Sequence, residues 1–242
     1  MLKPIKRQSL SEAVFEQLRD QIVAGSFGAG ELLPAERVLS EKLGVNRGAL
    51  REALKKLEQA RLVSIQHGGS TRVLDFRHTA GMELLTQLLV GPSGFNLEVA
   101  RSVVEMRSAL APDIARLCAE RRDEGVVERL EAVLVAMEAA AGDLPAIQRI
   151  AMDFWSELVD GSGNLAYRLA LNTLREVYLE LQGLLTETLS DELSFLAGYR
   201  AVVDAVKKQD GARAAKKARE LVTKGGDKLI AALDAALELK GS

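Results

Sequence analysis

The sequence contains a single cysteine, Cys118, so no disulfide bond can form within one chain. A chain without disulfides is typical of a reducing compartment, and we therefore expect a cytoplasmic protein. No apolar run approaches the ~20 residues that a membrane-spanning helix needs, and the basic first residues are not followed by the apolar stretch of a secretion signal. We therefore expect no membrane partner.

Histidine and aromatic residues are also scarce, and this limits the chemistry that the chain can perform. The two histidines are His67 and His78, and aromatic residues make up 4% of the chain. A metal site needs three or four converging ligands, and the later part of the chain has no histidine to supply them. Because we also find no nucleophile–base pair and no Gly-rich phosphate loop, we expect no catalytic residues, no metal and no enzyme.

Positive charge is concentrated at one end of the chain. The net charge of −2 does not by itself indicate a nucleic-acid partner. The first 80 residues, however, hold 13 Lys and Arg against 9 Asp and Glu, a net of +4, and the remainder holds 19 against 25, a net of −6. A basic head on an acidic body fits DNA binding by one end only.

The segment 33–73 has the pattern of a winged helix-turn-helix. Apolar residues recur with helical spacing in two short stretches, and Pro34 suits the first helical position. Gly44 can end the first helix, and Asn46 can cap the second. From Leu62 the apolar residues alternate, and a Gly-Gly-Ser turn separates two short strands. Two short helices followed by a β-hairpin are therefore expected.

Polar residues at the start of the second helix are the predicted DNA contacts. In a helix-turn-helix these residues lie at base edges in the major groove. Arg47 and Arg51 are four residues apart and share a face; Arg can read guanine, and Asn can read adenine. The alternative is an ordinary solvated basic face. One further contact is expected from the preceding helix and two from the hairpin tip. The full set of predicted DNA contacts is Arg37, Asn46, Arg47, Gly48, Ala49, Arg51, His67 and Gly68.

From residue 79 onward the pattern predicts helices and no convincing strand. Helices are expected near 97–122, 124–141, 143–160, 164–188, 190–208 and 211–238. An all-α bundle of this size can enclose a cavity. The expected fold is thus mainly α: a winged helix-turn-helix domain at 1–76, a linker helix region at 77–94, and an all-helical effector-binding and dimerisation domain at 95–242.

Three motifs in the first domain resemble a known family. Leu-Pro-Ala-Glu-Arg at 33–37, Val-Asn-Arg-Gly-Ala-Leu-Arg-Glu-Ala-Leu at 45–54 and Ile-Gln-His-Gly at 65–68 resemble the DNA-binding domain of GntR-family bacterial transcription regulators. The last motif resembles the fatty-acid-responsive FadR subfamily. The resemblance implies that the arginines, the asparagine and the hairpin-tip residues named above touch operator DNA. Members of that subfamily carry hydroxyl side chains at positions 46, 48 and 49, so a different operator sequence is expected.

The second domain resembles the helical effector domain of the same subfamily. The similar segments are 105–107, 153–158 with 162–164, and 199–206. Many members of the family bind a divalent metal through one Asp and three His. The matching positions here hold Ala151, Trp155, Tyr199 and, approximately, Val222.

A metal-free helical pocket implies, through this resemblance, an acyl-CoA or fatty-acid effector. The polar side chains expected to face the pocket are Arg107, Asn164, Tyr178 and Tyr199. The alternative for each is a core polar group with its hydrogen bonds satisfied. The dipeptide Gly225-Gly226 would either let a ligand approach the backbone closely or break the last helix.

These features favour a homodimeric, DNA-binding transcription regulator that reads a two-fold symmetric operator. Its helical domain would sense a small-molecule effector, and effector binding would lower operator affinity. One alternative is the same fold sensing a small organic or sugar acid without a metal. Another is a dimerising DNA-binding scaffold without an effector, and an enzyme with a DNA-binding head is disfavoured.

Overall fold

The computed structural model describes residues 9–66, 70–91, 94–180 and 182–241. The chain divides into two compact units, 1–94 and 95–242, and each has its own hydrophobic core. Among the described helices, none combines the length and apolar character needed to cross a membrane.

The first unit is a winged helix-turn-helix, as predicted. Its elements, with a short strand pair at its end, are α1 (Leu10–Val23), α2 (Glu36–Leu43), α3 (Arg47–Gln59), β1 (Val63–Ile65), β2 (Thr71–Val73), α4 (Phe76–Thr79), α5 (Leu84–Leu89), β3 (Val90–Gly91) and β4 (Gly94–Phe95).

The turn between α2 and α3 is set by two local signals. Gly44 has a φ of +64°, a left-handed conformation that ends α2 and that L side chains rarely adopt. The Asn46 side chain accepts a hydrogen bond from the Ala49 backbone N–H at 2.9 Å and caps α3. The prediction for Pro34 is wrong: α2 begins at Glu36, so Pro34 precedes its N-cap and stiffens the approach instead of opening the helix.

The apolar face of α3 is buried in the core of the first unit. Its inward side chains pack against α1 and the hairpin: Leu50, Ala53, Leu54 and Leu57. Burial of a leucine side chain contributes ~1.5–3 kcal/mol, so this face determines which side of α3 remains exposed. An ion pair between Lys56 and Glu12 joins α3 to α1 beside that core.

The hairpin is a two-stranded antiparallel sheet in which Val63 pairs with Val73. The segment leading into α2 runs along the outer edge of β2. There the Val73 N–H donates to the Glu31 carbonyl and the Leu33 N–H donates to the Thr71 carbonyl, each at 2.8 Å. The base of the wing is therefore supported on both sides.

The connection after the hairpin departs from the sequence expectation in one respect. The expectation of no strand after residue 79 is wrong, because β3 and β4 lie at 90–91 and 94–95. Each of these strands is two residues long, and alternation of apolar residues cannot be recognised over so short a stretch.

The second unit is an all-α bundle, as predicted. Its described helices are α6 (Leu97–Arg121), α7 (Glu124–Ala139), α8 (Leu144–Ser162), α9 (Leu165–Glu180), α10 (Gln182–Thr188), α11 (Ser190–Leu193), α12 (Leu196–Lys207) and α13 (Gly211–Gly241). One expected helix, 190–208, is divided into α11 and α12, whereas the expected helix 164–188 is described as α9 and α10 on either side of residue 181. The helix α13 runs the whole length of α6 in the bundle core.

The pair Gly225-Gly226 does not break α13, which continues through it. A Cβ atom on Gly225 would lie 2.6 Å from the Glu192 Oε2 atom and 2.8 Å from Leu189 Cδ2. A Cβ on Gly226 would lie 3.3 Å from Ser108 Oγ on α6. The second of the two alternatives, a helix break, is therefore wrong. In the structure Gly225 gives close approach to a carboxylate of the protein itself.

We expect Gly225→Ala to lower the free energy of unfolding by ~1–3 kcal/mol, because the added methyl group must displace Glu192 or Leu189. The measurement is urea unfolding followed by circular dichroism. Gly183→Ala is the matched control, since among the described residues nothing outside its own helical backbone and chain neighbours lies within 4 Å of its Cβ position in α10. Equal stability of the two variants would show that the contact at Gly225 relaxes freely.

Candidate nucleic-acid interface and effector site

The exposed face of α3 carries the residues predicted to contact DNA. The side chains of Asn46, Arg47 and Arg51 are exposed, Gly48 is exposed, and Ala49 is half-buried. They lie at the N-terminal end of α3, opposite the leucines that face the core. In the described part of the chain, no ion pair involves Arg47, so its guanidinium is available to a phosphate or base.

Two other predicted arginines form exposed ion pairs. Arg51 Nε lies 2.8 Å from Glu36 Oε2, and Arg37 Nη1 lies 2.9 Å from Glu41 Oε1. The side chains of Arg51 and Arg37 are 64% and 66% exposed. Exposed ion pairs stabilise a fold little, so DNA phosphates or bases can replace these carboxylates at small cost.

The capping geometry changes the expectation for Asn46. Its side-chain oxygen accepts from the Ala49 N–H, and a bidentate contact to adenine needs that same oxygen. A Cβ on Gly48 would lie 3.2 Å from the oxygen, so glycine leaves room for the cap. The adenine contact stays a prediction, in which the second lone pair of this oxygen would accept from adenine while the first keeps the cap.

The predicted residues of the wing tip, His67 and Gly68, lie outside the described residues, and their DNA contacts stay predictions. The strands that lead to them are described. The Ile65 backbone N–H donates to Glu58 Oε1 at 2.8 Å, which attaches β1 to the end of α3. The Gln66 N–H donates to the Ser70 carbonyl at 2.8 Å.

The central polar feature of the second unit is an ion pair between Arg107 of α6 and Glu192 of α11. Arg107 Nη1 donates to Glu192 Oε2 at 3.1 Å, and Nη2 donates to Oε1 in a second, parallel bond. The Glu192 side chain is 2% exposed and that of Arg107 is 24% exposed. Burial raises the pKa of Glu192, whereas the positive charge and hydrogen bonds of Arg107 act to lower it. Arg107, which was expected to face the effector pocket, is therefore already bound to an internal carboxylate.

Two predicted tyrosines belong to the same neighbourhood, because both interact electrostatically with Arg107. Burial raises the pKa of Tyr178 to about 12 and that of Tyr199 well above its ordinary value, so both hydroxyls keep their protons at neutral pH. Tyr199 is fully buried, and its ring packs edge-on against Phe154 with centroids 4.9 Å apart.

Two buried polar atoms beside this pair have no hydrogen-bond partner among the described residues: Tyr199 Oη and Trp155 Nε1. The Trp155 ring lies against the guanidinium of Arg107, with its centroid 5.8 Å from the Arg107 Cζ atom. Buried polar groups in proteins normally have a partner, so these two atoms mark an incomplete polar site.

The fourth predicted effector residue lies elsewhere. The Asn164 side-chain oxygen accepts from the backbone N–H groups of Ala166 at 3.0 Å and Tyr167 at 3.3 Å, and so caps the start of α9. None of its described contacts is with Arg107 or the two tyrosines. The structure thus brings three of the four predicted residues together, and a contact of Asn164 with an effector stays a prediction.

Sequence reasoning missed Glu192 and the buried Gln148. Thr186 Oγ1 donates to Gln148 Oε1, and Gln148 Nε2 donates to the Gln182 carbonyl at 3.2 Å, which joins α8 to α10. Glu192 had a recognisable signal, because it follows Leu189 on an apolar helical stripe where an acid is unusual. The sequence did not show what it would pair with.

The residues present do not fit a divalent metal of the kind that the family resemblance implies. The four matching positions are buried and offer no carboxylate, imidazole or thiolate: Ala151, Trp155, Tyr199 and Val222. Within the described ranges, no group of three His, Cys, Asp or Glu converges. Asp153, close to these positions in sequence, is exposed.

A winged helix-turn-helix with an exposed basic recognition helix, joined to a helical bundle with a buried polar site, defines a DNA-binding transcription regulator with a sensing domain. Comparison with known proteins agrees. Residues 10–73 match the bacterial regulatory proteins of the gntR family, and residues 102–224 match the FCD domain. The chain belongs to the GntR family, with an FCD effector-binding domain as its second unit.

Similar proteins in the same family are themselves regulators and not enzymes. The HTH-type transcriptional regulator Mce2R of Mycobacterium tuberculosis is 38% identical over 232 residues, which is 96% of each chain. The fatty acid metabolism regulator protein of Pectobacterium carotovorum is 30% identical over 177 residues, 73% of this chain and 72% of that protein. Lar, which controls expression of the Listeria monocytogenes agr system, has a similar fold, with a TM-score of 0.54, 16% identity, and coverage of 93% of this chain and 98% of Lar.

We expect Asn46→Asp to leave stability unchanged but to weaken operator binding, because Asp caps a helix as well as Asn while adding negative charge beside the DNA. Thermal unfolding and fluorescence anisotropy with operator DNA measure the two effects. Asn96→Asp is the matched control, since Asn96 caps α6 by accepting from the Val99 N–H. If both variants bind the operator equally well, the start of α3 does not face DNA.

Proposed function

We propose that the protein is a homodimeric repressor that releases a two-fold symmetric operator when its helical domain binds an effector. The observation that carries the proposal is the exposed basic start of α3, where Arg47 has no competing ion pair within the described residues. One recognition helix covers only a few base pairs, so a chain with one winged module needs a second copy for specificity. We propose that it acts on chromosomal DNA in the cytoplasm.

The effector that the second unit favours has an apolar tail and an anionic head, as in acyl-CoA or a fatty acid. Each buried CH₂ group contributes ~0.8 kcal/mol, so a chain of about ten carbons outweighs one polar contact. The bundle core is built largely from Leu, Val and Ala and can line such a chain. Relatives named for fatty acid metabolism support this choice.

A small organic or sugar acid is the second candidate. Its support is Arg107, the one predicted cation in the polar site, which would hold a small carboxylate. Against it stands the loss of the metal, the usual anchor for a small carboxylate in this family, since Trp155 and Tyr199 stand where histidines would hold that metal. A small acid would then depend on few contacts. A dimerising scaffold without an effector is the third candidate, and the unpartnered polar atoms beside Arg107 argue against it.

The proposed control needs only a difference in affinity. An effector lowers operator affinity to the extent that it binds the DNA-free arrangement of the dimer more tightly than the DNA-bound one. The same coupling requires that operator DNA weaken effector binding by an equal factor. An effector with equal affinity for both arrangements would change nothing.

We expect Arg47→Ala to weaken specific operator binding by ~1–3 kcal/mol and random DNA less, because a base-reading arginine contributes to discrimination. Arg51→Ala should behave in the same way. The measurement is anisotropy with operator and scrambled duplexes at one salt concentration. Lys208→Ala, an exposed cation of the second unit, is the control and should change neither affinity. An unchanged ratio of specific to random affinity in Arg47→Ala would assign the residue to phosphate contact.

We also expect operator affinity to fall on titration with fatty acids or acyl-CoAs, and to fall at lower ligand concentration as the acyl chain lengthens, because each added CH₂ adds buried area. Short dicarboxylic and sugar acids serve as the comparison. Release by a short acid without a response to any acyl compound would exclude the proposed effector class and favour the second candidate.

A further inference from the structure

We propose that the effector is recognised as a free carboxylate that replaces Glu192 on Arg107, so that Glu192 is an internal substitute for the ligand head group. This inference rests on the proposed function, because it assumes that the second unit binds an effector. It goes further in selecting the free acid over its CoA thioester and in assigning Glu192 a competing role.

The first support is the surplus of donors around the ion pair. Both oxygens of Glu192 accept from Arg107. Tyr199 Oη and Trp155 Nε1 are buried donors with no partner among the described residues, and the indole N–H can only donate. A carboxylate presents about four acceptor sites on two oxygens. In the proposed complex, a ligand carboxylate at Arg107 accepts from the guanidinium and from these two groups.

The second support is the conservation of charge in the exchange. Removing one partner from a buried ion pair leaves the other uncompensated, which is strongly unfavourable. When one carboxylate replaces another, Arg107 stays neutralised throughout. Glu192 lies on the four-residue helix α11 next to the exposed Asp191, so taking Glu192 to solvent requires α11 to turn by about 100°.

The third support is the apolar surface around Glu192. Leu189 and Leu193 flank it, and both are more than nine-tenths buried in the bundle core. A ligand head at Arg107 would place an attached acyl chain among these leucines. A thioester fits less well, because its carbonyl is neutral and cannot compensate Arg107. A short dicarboxylate would bring a second charge into the same apolar surroundings.

The test is calorimetric titration of the full chain with decanoate and with decanoyl-CoA. Wild-type protein should bind decanoate more tightly than the thioester. Glu192→Gln keeps the size of the side chain but weakens the internal competitor, so decanoate should bind this variant about tenfold more tightly than wild type. Arg107→Met should lose decanoate binding, and Asp191→Asn, an exposed neighbour on the same helix, should bind like wild type.

The inference is overturned if Glu192→Gln binds decanoate no more tightly than Asp191→Asn, or if wild-type protein binds the thioester as tightly as the free acid. If Glu192→Gln does not fold, the wild-type comparison of acid with thioester decides. Operator binding is followed in parallel. If decanoate releases the operator equally from Glu192→Gln and from Asp191→Asn, the proposed function is retained, but Glu192 does not compete with the ligand. If decanoate binds without changing operator affinity, the proposed control of repression is excluded, whereas the proposed exchange at Arg107 is retained.

Discussion

A buried guanidinium–carboxylate pair is the interaction on which the organisation of the helical unit depends. Arg107 comes from α6 and Glu192 from α11, 85 residues later in the chain. Gly225 on α13 leaves the space that the carboxylate occupies. Since a buried charge without its partner is costly, the three helices must meet in this arrangement or another anion must take the place of Glu192. The same pair thus serves both the packing of the bundle and the recognition that we propose.

The DNA-binding unit is governed by a different constraint, which is the burial of one face of α3. Once its leucines enter the core, Arg47 and Arg51 must lie on the opposite side. The cap at Asn46 and the left-handed turn at Gly44 then set where that exposed face begins. The operator specificity that we propose rests on the few side chains at this end, whereas the fold rests on the apolar side chains behind them.

Local signals explain why much of the fold could be predicted. Gly44, the Asn46 cap and the alternation around Val63 each act within a few residues, so the helices and hairpin of the first unit followed from the sequence. Pro34 was misplaced by two positions because a proline is tolerated both before the cap and after it. The division of 190–208 into two shorter helices was missed because this range carries no strong internal stop signal.

The sequence by itself determined the class of protein: a basic winged module, a helical bundle, and positions 151, 155 and 199 without the usual metal ligands. Only the tertiary structure decided which polar groups meet. It assigned Arg107 to Glu192 instead of the adjacent Asp191, left Tyr199 Oη and Trp155 Nε1 beside that pair, and made Asn164 a helix cap. The reason is physical, because helical periodicity determines the face on which a side chain lies, whereas its partner is determined by helices that are distant in sequence and pack together only in the folded chain.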